Sequence, residues 1–147
     1  MRTHRLSDDR RHAYCKLIIA ITKGNIYDAI LALSQIGFQT NQSEKYPERD
    51  VEFFEYVFRD VKARRDAQRE NTAYQDIRSD QYQQDVLNGE EECMRYILHA
   101  PHDFYFLLKT LSMLRGLMVK LGVQCPLLHI FSLNAHIGIV HTNGISR

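Results

Sequence analysis

Apolar residues recur at helical spacing along most of the chain. Ser7 precedes Asp8 and Asp9 and then Ala13, Tyr14, Leu17, Ile18 and Ile21, which share one helical face. Ser7 is a natural cap for this first helix: its side-chain oxygen accepts an orphan N–H, and the two carboxylates complement the positive helix end. Gly24 is expected to stop it, and Asn25 to cap a second helix in which Ile26, Ile30, Leu33 and Ile36 face one way. Gly37 then supplies a left-handed C-terminal residue, closing a short helical hairpin. Gln39 to Lys45 reads as a loop, and Pro47 as the first turn of a third helix with the stripe Val51, Phe54, Val57, Phe58 and Val61. Acidic residues (Glu48, Asp50, Glu52, Glu55) lie toward its start and basic ones (Lys62, Arg64, Arg65) toward its end, as the helix dipole favours. That charge run is expected to be a solvated helix face.

Between Asp66 and Asn88 the only apolar anchors are Tyr74, Ile77, Tyr82, Val86 and Leu87, too few for a core. The segment is expected to be a long exposed helix with a thin stripe or a partly mobile insertion. Gly89 separates it from Glu90 to Leu98, which reads as a short acidic-to-apolar helix, and Ala100-Pro101 marks the next boundary. From Pro101 to Leu121 the chain is apolar on nearly every helical face: Phe104, Leu107, Leu108, Leu111, Leu114, Met118 and Leu121 on one, with Phe106, Met113, Leu117 and Val119 on others. Such a helix is expected to be buried or packed by a partner. Lys109, Arg115 and Lys120 argue against a membrane span, since each is costly at membrane depth. Gly122 ends this helix, Pro126 opens a last short one with Leu127, Leu128, Ile130, Phe131 and Leu133, and 137–147 carries little pattern. The expectation is an all-α fold of about six helices.

Composition narrows the function more than it defines it. The 147 residues suit one domain, and a formal net charge of +1 lacks the basic excess of a broad nucleic-acid binder. Cys15, Cys93 and Cys125 are odd in number and form no CxxC pair, which speaks against a disulfide framework or a cysteine-rich zinc site; Cys15 and Cys93 are expected to be small core residues. The histidine sets His99, His102 and Asp103, or His129, His136 and His141, lack ligand spacing, because the first flanks a proline turn and the second is spread over successive helical turns. Glu90, Glu91 and Glu92 point in different directions on a helix and make no acid/base pair. No GxxxxGK[ST], GxGxxG or Gly-x-Ser-x-Gly element occurs in the 147 residues. No catalytic, metal or cofactor-binding residue is assigned.

Arg115 and Gly116 stand out inside the most apolar segment. An arginine there needs a carboxylate or carbonyl partner, because an unpaired buried charge costs several kcal/mol. A mid-helix glycine costs about 1 kcal/mol relative to alanine unless close packing offsets it. The pair therefore reads as a structural ion pair and a tight helix crossing, or as a docking contact.

The order of Leu6-Ser7-Asp8, Arg10, Tyr14, Leu17, Ala20-Ile21, Gly24-Asn25, Ala29, Leu33 and Ile36-Gly37-Phe38 resembles the segment after the DFG motif in the UbiB/ADCK (aarF-domain) atypical kinases. Val57-Phe58-Arg59-Asp60 is similar to that family's FRD helix, and Leu114-Arg115-Gly116-Leu117 with Leu121-Gly122 to its LLRG…LG helix. Pro126-Leu127-Leu128 to Ala135-His136 is similar to the helix that follows. The resemblance runs over 1–136, loosely in 64–100, and leaves 137–147 unassigned. It implies the C-terminal helical portion of an atypical kinase large lobe, beginning just after DFG at an internal methionine, as a truncated product or one half of a split protein. The family's Lys-x-Gly-Gln segment, Ala-rich nucleotide loop and catalytic Asp have no counterpart in this chain, so the ATP and Mg that the parent family uses are not expected to bind here. Arg59, Arg115 and Gly116 are the structural or docking candidates. The implied partner is the N-terminal kinase lobe or another helical protein, and the implied parent function is ATP-dependent support of isoprenoid-quinone metabolism in a mitochondrion, plastid or bacterium. A stand-alone helical interaction module and a peripheral membrane-associated protein are the alternatives.

Overall fold

The structure is a computed structural model that describes residues 8–145. Its elements are α1 (Asp8–Lys23), α2 (Ile26–Ile36), β1 (Gln39–Thr40), α3 (Pro47–Val57), α4 (Arg64–Leu87), β2 (Ile97–His99), α5 (His102–Lys120) and α6 (Leu127–Ile145). Among the described residues the fold is all-α, with six helices and one two-stranded ribbon. The expected Ser7 cap lies outside the described residues.

Local chemistry sets the hairpin of α1 and α2. Gly24 turns the chain at φ 68°, and the Asn25 side chain accepts from the Asp28 N–H at the start of α2. Gly37 ends α2 in the left-handed region, with its N–H bonded to the carbonyls of Leu33 and Ser34. The packed centre follows: α1 lies against both α2 and α6, burying Leu17 and Ala13 beside Ala29, Leu33 and Ile36. Just after α2, Phe38 meets Phe54 of α3 edge-on at 5.0 Å and Phe104 of α5 at 5.1 Å. All three rings are buried, and each contributes about 1.5–3 kcal/mol of burial. This aromatic knot ties α2, α3 and α5 together.

Several expectations need correction. The Glu90 to Leu98 segment is not helical; it is irregular up to β2, which pairs antiparallel with β1 inside the expected Gln39 to Lys45 loop. Its backbone groups find partners across the chain instead of along it: Asn41 accepts from the Tyr96 N–H at 2.9 Å, donates from its side chain to Met94 O at 2.9 Å, and donates from its backbone to Tyr96 O at 3.1 Å. Next, α3 ends at Val57, so Lys62 falls beyond it, while Arg64 and Arg65 open α4. The cation at its C-terminal end comes from α5 and is described below.

The third concerns α5: of its two expected forms, buried or packed by a partner, burial within the chain is not met. Phe104 and Leu111 are its buried residues, whereas Phe106 is 73 % exposed. The helix rests one edge on the aromatic knot and turns its other apolar faces outward. The fourth is α6, which runs through the supposedly patternless tail to Ile145. Small residues let it lie close to α1: Ala135 is buried, and a Cβ placed on Gly138 comes within 3.0 Å of the Cys15 sulfur. Cys15 and Cys93 are half-buried, not core residues. The 66–88 segment takes the first of its two expected forms, the long exposed helix α4.

Candidate functional site

Two polar arrangements and one apolar surface are candidates. The first is a joint at the end of α3. The Arg115 guanidinium donates to Val57 O at 2.6 Å and to Arg59 O at 2.9 Å. Val57 is the last residue of α3, where carbonyls lack helical partners, so Arg115 both satisfies orphan acceptors and places a cation at the negative helix end. Burial, and next the neighbouring Arg59, push its pKa below the ordinary guanidinium value. The partners are carbonyls, not a carboxylate.

Arg59 is held by its own neighbourhood. Its guanidinium lies 3.8 Å over the Tyr56 ring and donates to Tyr56 O at 2.7 Å and to Asn71 Oδ1 at 3.3 Å. Tyr56 stacks on Tyr74 of α4 at 4.0 Å. One residue on, Asp60 accepts from the Leu128 N–H at 3.1 Å, capping the first turn of α6, and Val61 and Cys125 bond each other's backbones at 2.8 and 2.9 Å. Arg59 and Arg115 are thereby brought together; Gly116 is not part of the joint. A Cβ added to Gly116 meets nothing within 4 Å, so the expected tight crossing is absent there, and the close approach is at Gly138 instead.

The second arrangement escaped the sequence reading. Arg49 of α3 forms a two-pronged pair with Asp85 of α4, Nη1 to Oδ2 at 2.7 Å and Nη2 to Oδ1 at 2.9 Å. Asp85 is 1 % exposed, and its bonds to Arg49 hold its carboxyl below the usual aspartate range. Gln42 accepts from Arg49 at 3.0 Å, and Arg49 stacks 4.0 Å over the Tyr46 ring. Behind this pair Asp50 accepts from Thr40 at 3.0 Å and Ser43 at 2.5 Å. Arg95 donates to Arg49 O at 2.7 Å while its Nε stays 3.7 Å from Asp50. Two clefts flank the pair. One, of about 330 Å³, is walled by Lys45, Tyr46 and Glu90 to Glu92, with Glu90 ion-paired to Lys45; the other, of about 280 Å³, opens between Arg78, Ser79 and Tyr82 of α4 and the Cys93 to Arg95 loop.

A local signal for this node did exist. The inward positions of α4 are Ala67, Glu70, Tyr74, Gln81 and Asp85, which recur at helical spacing. They are mostly polar and meet Lys62, Tyr56, Glu52 and Arg49 respectively from Glu70 onward.

The third feature is apolar. On α6, Ile130, Leu133, Ile137 and Val140 are all exposed, at spacings of three and four that form a narrow a/d-type seam. Ala135 and Ser132 are buried, and Gly138 meets Cys15 of α1. Phe106, Met113, Leu117 and Leu121 are exposed on or just after α5. No Asp or Glu follows Asp103 in the sequence, so these surfaces carry only neutral and basic residues.

Among the described residues no group of three or more His, Cys, Asp or Glu side chains is placed to hold a metal ion; the side chain of His141 lies outside them. No described helix is long and apolar enough to cross a membrane. Compared with protein-family models, curated proteins and solved structures, the chain has no match.

Proposed function

We propose that the chain is a non-catalytic helical docking module, equivalent to the C-terminal helical part of a UbiB/ADCK-like atypical kinase domain. One observation carries the reading. Three of the four pieces that carry the resemblance, Val57 to Asp60, Leu114 to Leu117 and Pro126 to Leu128, are far apart in sequence yet are joined through Arg115, Asp60 and the carbonyls of Val57 and Arg59. On this reading the joint fixes the angle between α3, α5 and α6, and the exposed faces of α5 and α6 receive a partner, in the first instance a lobe that carries the nucleotide-binding motifs. Nucleotide chemistry belongs to that lobe, and the parent role is ATP-dependent support of isoprenoid-quinone metabolism.

The test is co-expression with the nucleotide-binding portion of a UbiB/ADCK protein, ending at its DFG motif. The expected result is self-association of the chain alone, relieved in a one-to-one complex that binds Mg-ATP when the chain alone does not. Mg-ATP hydrolysis by the isolated chain, abolished by substituting its own carboxylates, overturns the proposal. A second reading, a stand-alone interaction module, is favoured by the α6 seam, since a strict a/d stripe suits a partner helix. A monodisperse monomer that melts sharply and ignores the kinase lobe selects that reading over the first.

A further inference from the structure

The cleft beside the Arg49–Asp85 pair has a wall chemistry that the docking role does not use. Three guanidiniums, those of Arg49, Arg78 and Arg95, line it against the single carboxylate of Asp85. Arg49 spends its fork on Asp85 and Gln42, and Arg95 gives Nη1 to Arg49 O at 2.7 Å, which leaves Arg78 and the remaining amine of Arg95 as the cationic donors of the cleft wall. Arg95 is nearly buried, with a side chain 14 % exposed, and its closest carboxylate is 3.7 Å away. That carboxylate, Asp50, already accepts from Thr40 and Ser43. Glu52, the other acid near Arg95, accepts from Gln81 at 2.9 Å and does not line the cleft. Burial pushes Arg95 below the ordinary guanidinium value; Asp50 opposes this and Arg78 adds to it. Arg78 is exposed, lies 6.0 Å over the Tyr74 ring and makes no ion pair among the described residues. Gln75, Ser79 and Tyr82 add neutral donors to the same wall.

We infer that this cleft is an oxyanion site for a phosphate group, free or as a small phosphate monoester, held between Arg78 and Arg95 with Ser79 and Gln75 as neutral donors. The chemistry fits: guanidinium forks match phosphate oxygens in pairs, and a cleft of about 280 Å³ admits a phosphate with a small substituent. It shares no lining residue with the joint at Arg115.

The test is titration calorimetry of the whole chain with sodium phosphate and with phosphoserine, against sodium chloride at matched ionic strength. Saturable one-site binding in about the millimolar range is expected, the strength of a few charge-assisted contacts in an open cleft. Arg78→Ala weakens it about tenfold, the equivalent of one such hydrogen bond, while the far-ultraviolet spectrum and thermal midpoint in chloride stay unchanged because Arg78 sits on the exposed side of α4. Arg95→Lys, which keeps the charge and loses the fork, weakens it as well. Tighter binding of phosphoserine identifies esters as the ligand class, and equal affinity identifies free phosphate. No saturable heat with either anion, or binding that Arg78→Ala leaves unchanged, overturns the inference.

Discussion

Replacing Arg115 by methionine tests the joint directly, because methionine keeps most of the aliphatic stem and removes both donors. Two hydrogen bonds are lost, 2.6 Å to Val57 O and 2.9 Å to Arg59 O. Hydrogen bonds to a charged group are worth about 1.5–3 kcal/mol each, so simple addition gives an upper bound of about 6 kcal/mol. Two reductions apply: neighbouring bonds from one guanidinium are not additive, and Arg115 is only half-buried, so water reaches part of the vacated site. We expect a loss of about 3 kcal/mol, or about 6–12 °C in thermal midpoint for a chain of this size. Urea unfolding followed by circular dichroism reads it as a lower midpoint at unchanged slope. Gly116→Ala is the paired control. With nothing within 4 Å of its added Cβ, it is expected to stabilise the helix by about 0.5–1 kcal/mol. An Arg115→Met loss below about 0.5 kcal/mol, the range of an ordinary surface substitution, refutes the account of the joint. So does a Gly116→Ala loss above about 1 kcal/mol, which restores the tight crossing.

Three further outcomes follow from the packing. Asp85→Asn leaves the buried Arg49 charge without its partner and is expected to cost about 3–5 kcal/mol, whereas Arg49→Met combined with Asp85→Leu costs much less; equal losses in both proteins count against the buried pair. Stability should fall in acid: the Asp85 carboxyl is held below its ordinary value of 3.8 by Arg49, so its contribution is complete above that value and is lost as pH drops through the lower folded-state value. Asp85→Asn flattens that part of the profile, and an unchanged slope between the two proteins is the contrary result. Gly138→Val drives side-chain atoms into the Cys15 sulfur, 3.0 Å from the Cβ position, and should cost about 1–3 kcal/mol by overpacking; Cys15→Ala is expected to recover part of this, and strict additivity of the two changes argues against the contact.

How legible the fold was in sequence depended on which kind of contact built each part. The hairpin of α1 and α2 was readable because its boundaries are set locally, by Asn25 bonding Asp28 and by Gly37 at a left-handed φ. The 90–99 segment was not, since its structure comes from Asn41 and Gln42, about fifty residues earlier, bonding its backbone and displacing the helix that its composition suggests. For α4 the expected long exposed helix is present, and the residues of its stripe are what differ. Of its few apolar residues, Ile77, Tyr82, Val86 and Leu87 are exposed, and the docked stripe is Glu70, Tyr74, Gln81 and Asp85. A helix attached through ion pairs, an amide and one stacked ring carries the right period in the wrong alphabet. Arg115 was legible as a residue in need of a partner, because its charge interrupts an apolar helix. The identity of that partner, two carbonyls at the end of α3, depends on tertiary placement alone.

The exposed faces of α5 and α6 bear on the docking proposal through this same contrast. An apolar surface can mean an imperfectly packed core or an interface, and the two differ in what lies behind it. Behind the α6 seam, the opposite face of the helix is already committed: Ala135 and Ser132 are buried, and Gly138 allows close approach to α1. Rotating α6 to bury Ile130, Leu133, Ile137 and Val140 exposes that small-residue face and removes the Asp60 cap from Leu128. The helix is therefore fixed in rotation by α1 on one side and by the joint at its start, and its seam stays outward as long as both hold. Hydrogen exchange gives this a measurable form. Arg115→Met, which loosens the joint from the α5 side, should raise exchange in the first turns of α6 as well as at the end of α3, while amides of the α1–α2 hairpin keep their protection relative to global unfolding. Exchange rising equally in all helices means that the joint adds only global stability and does not hold the orientation of the proposed docking face.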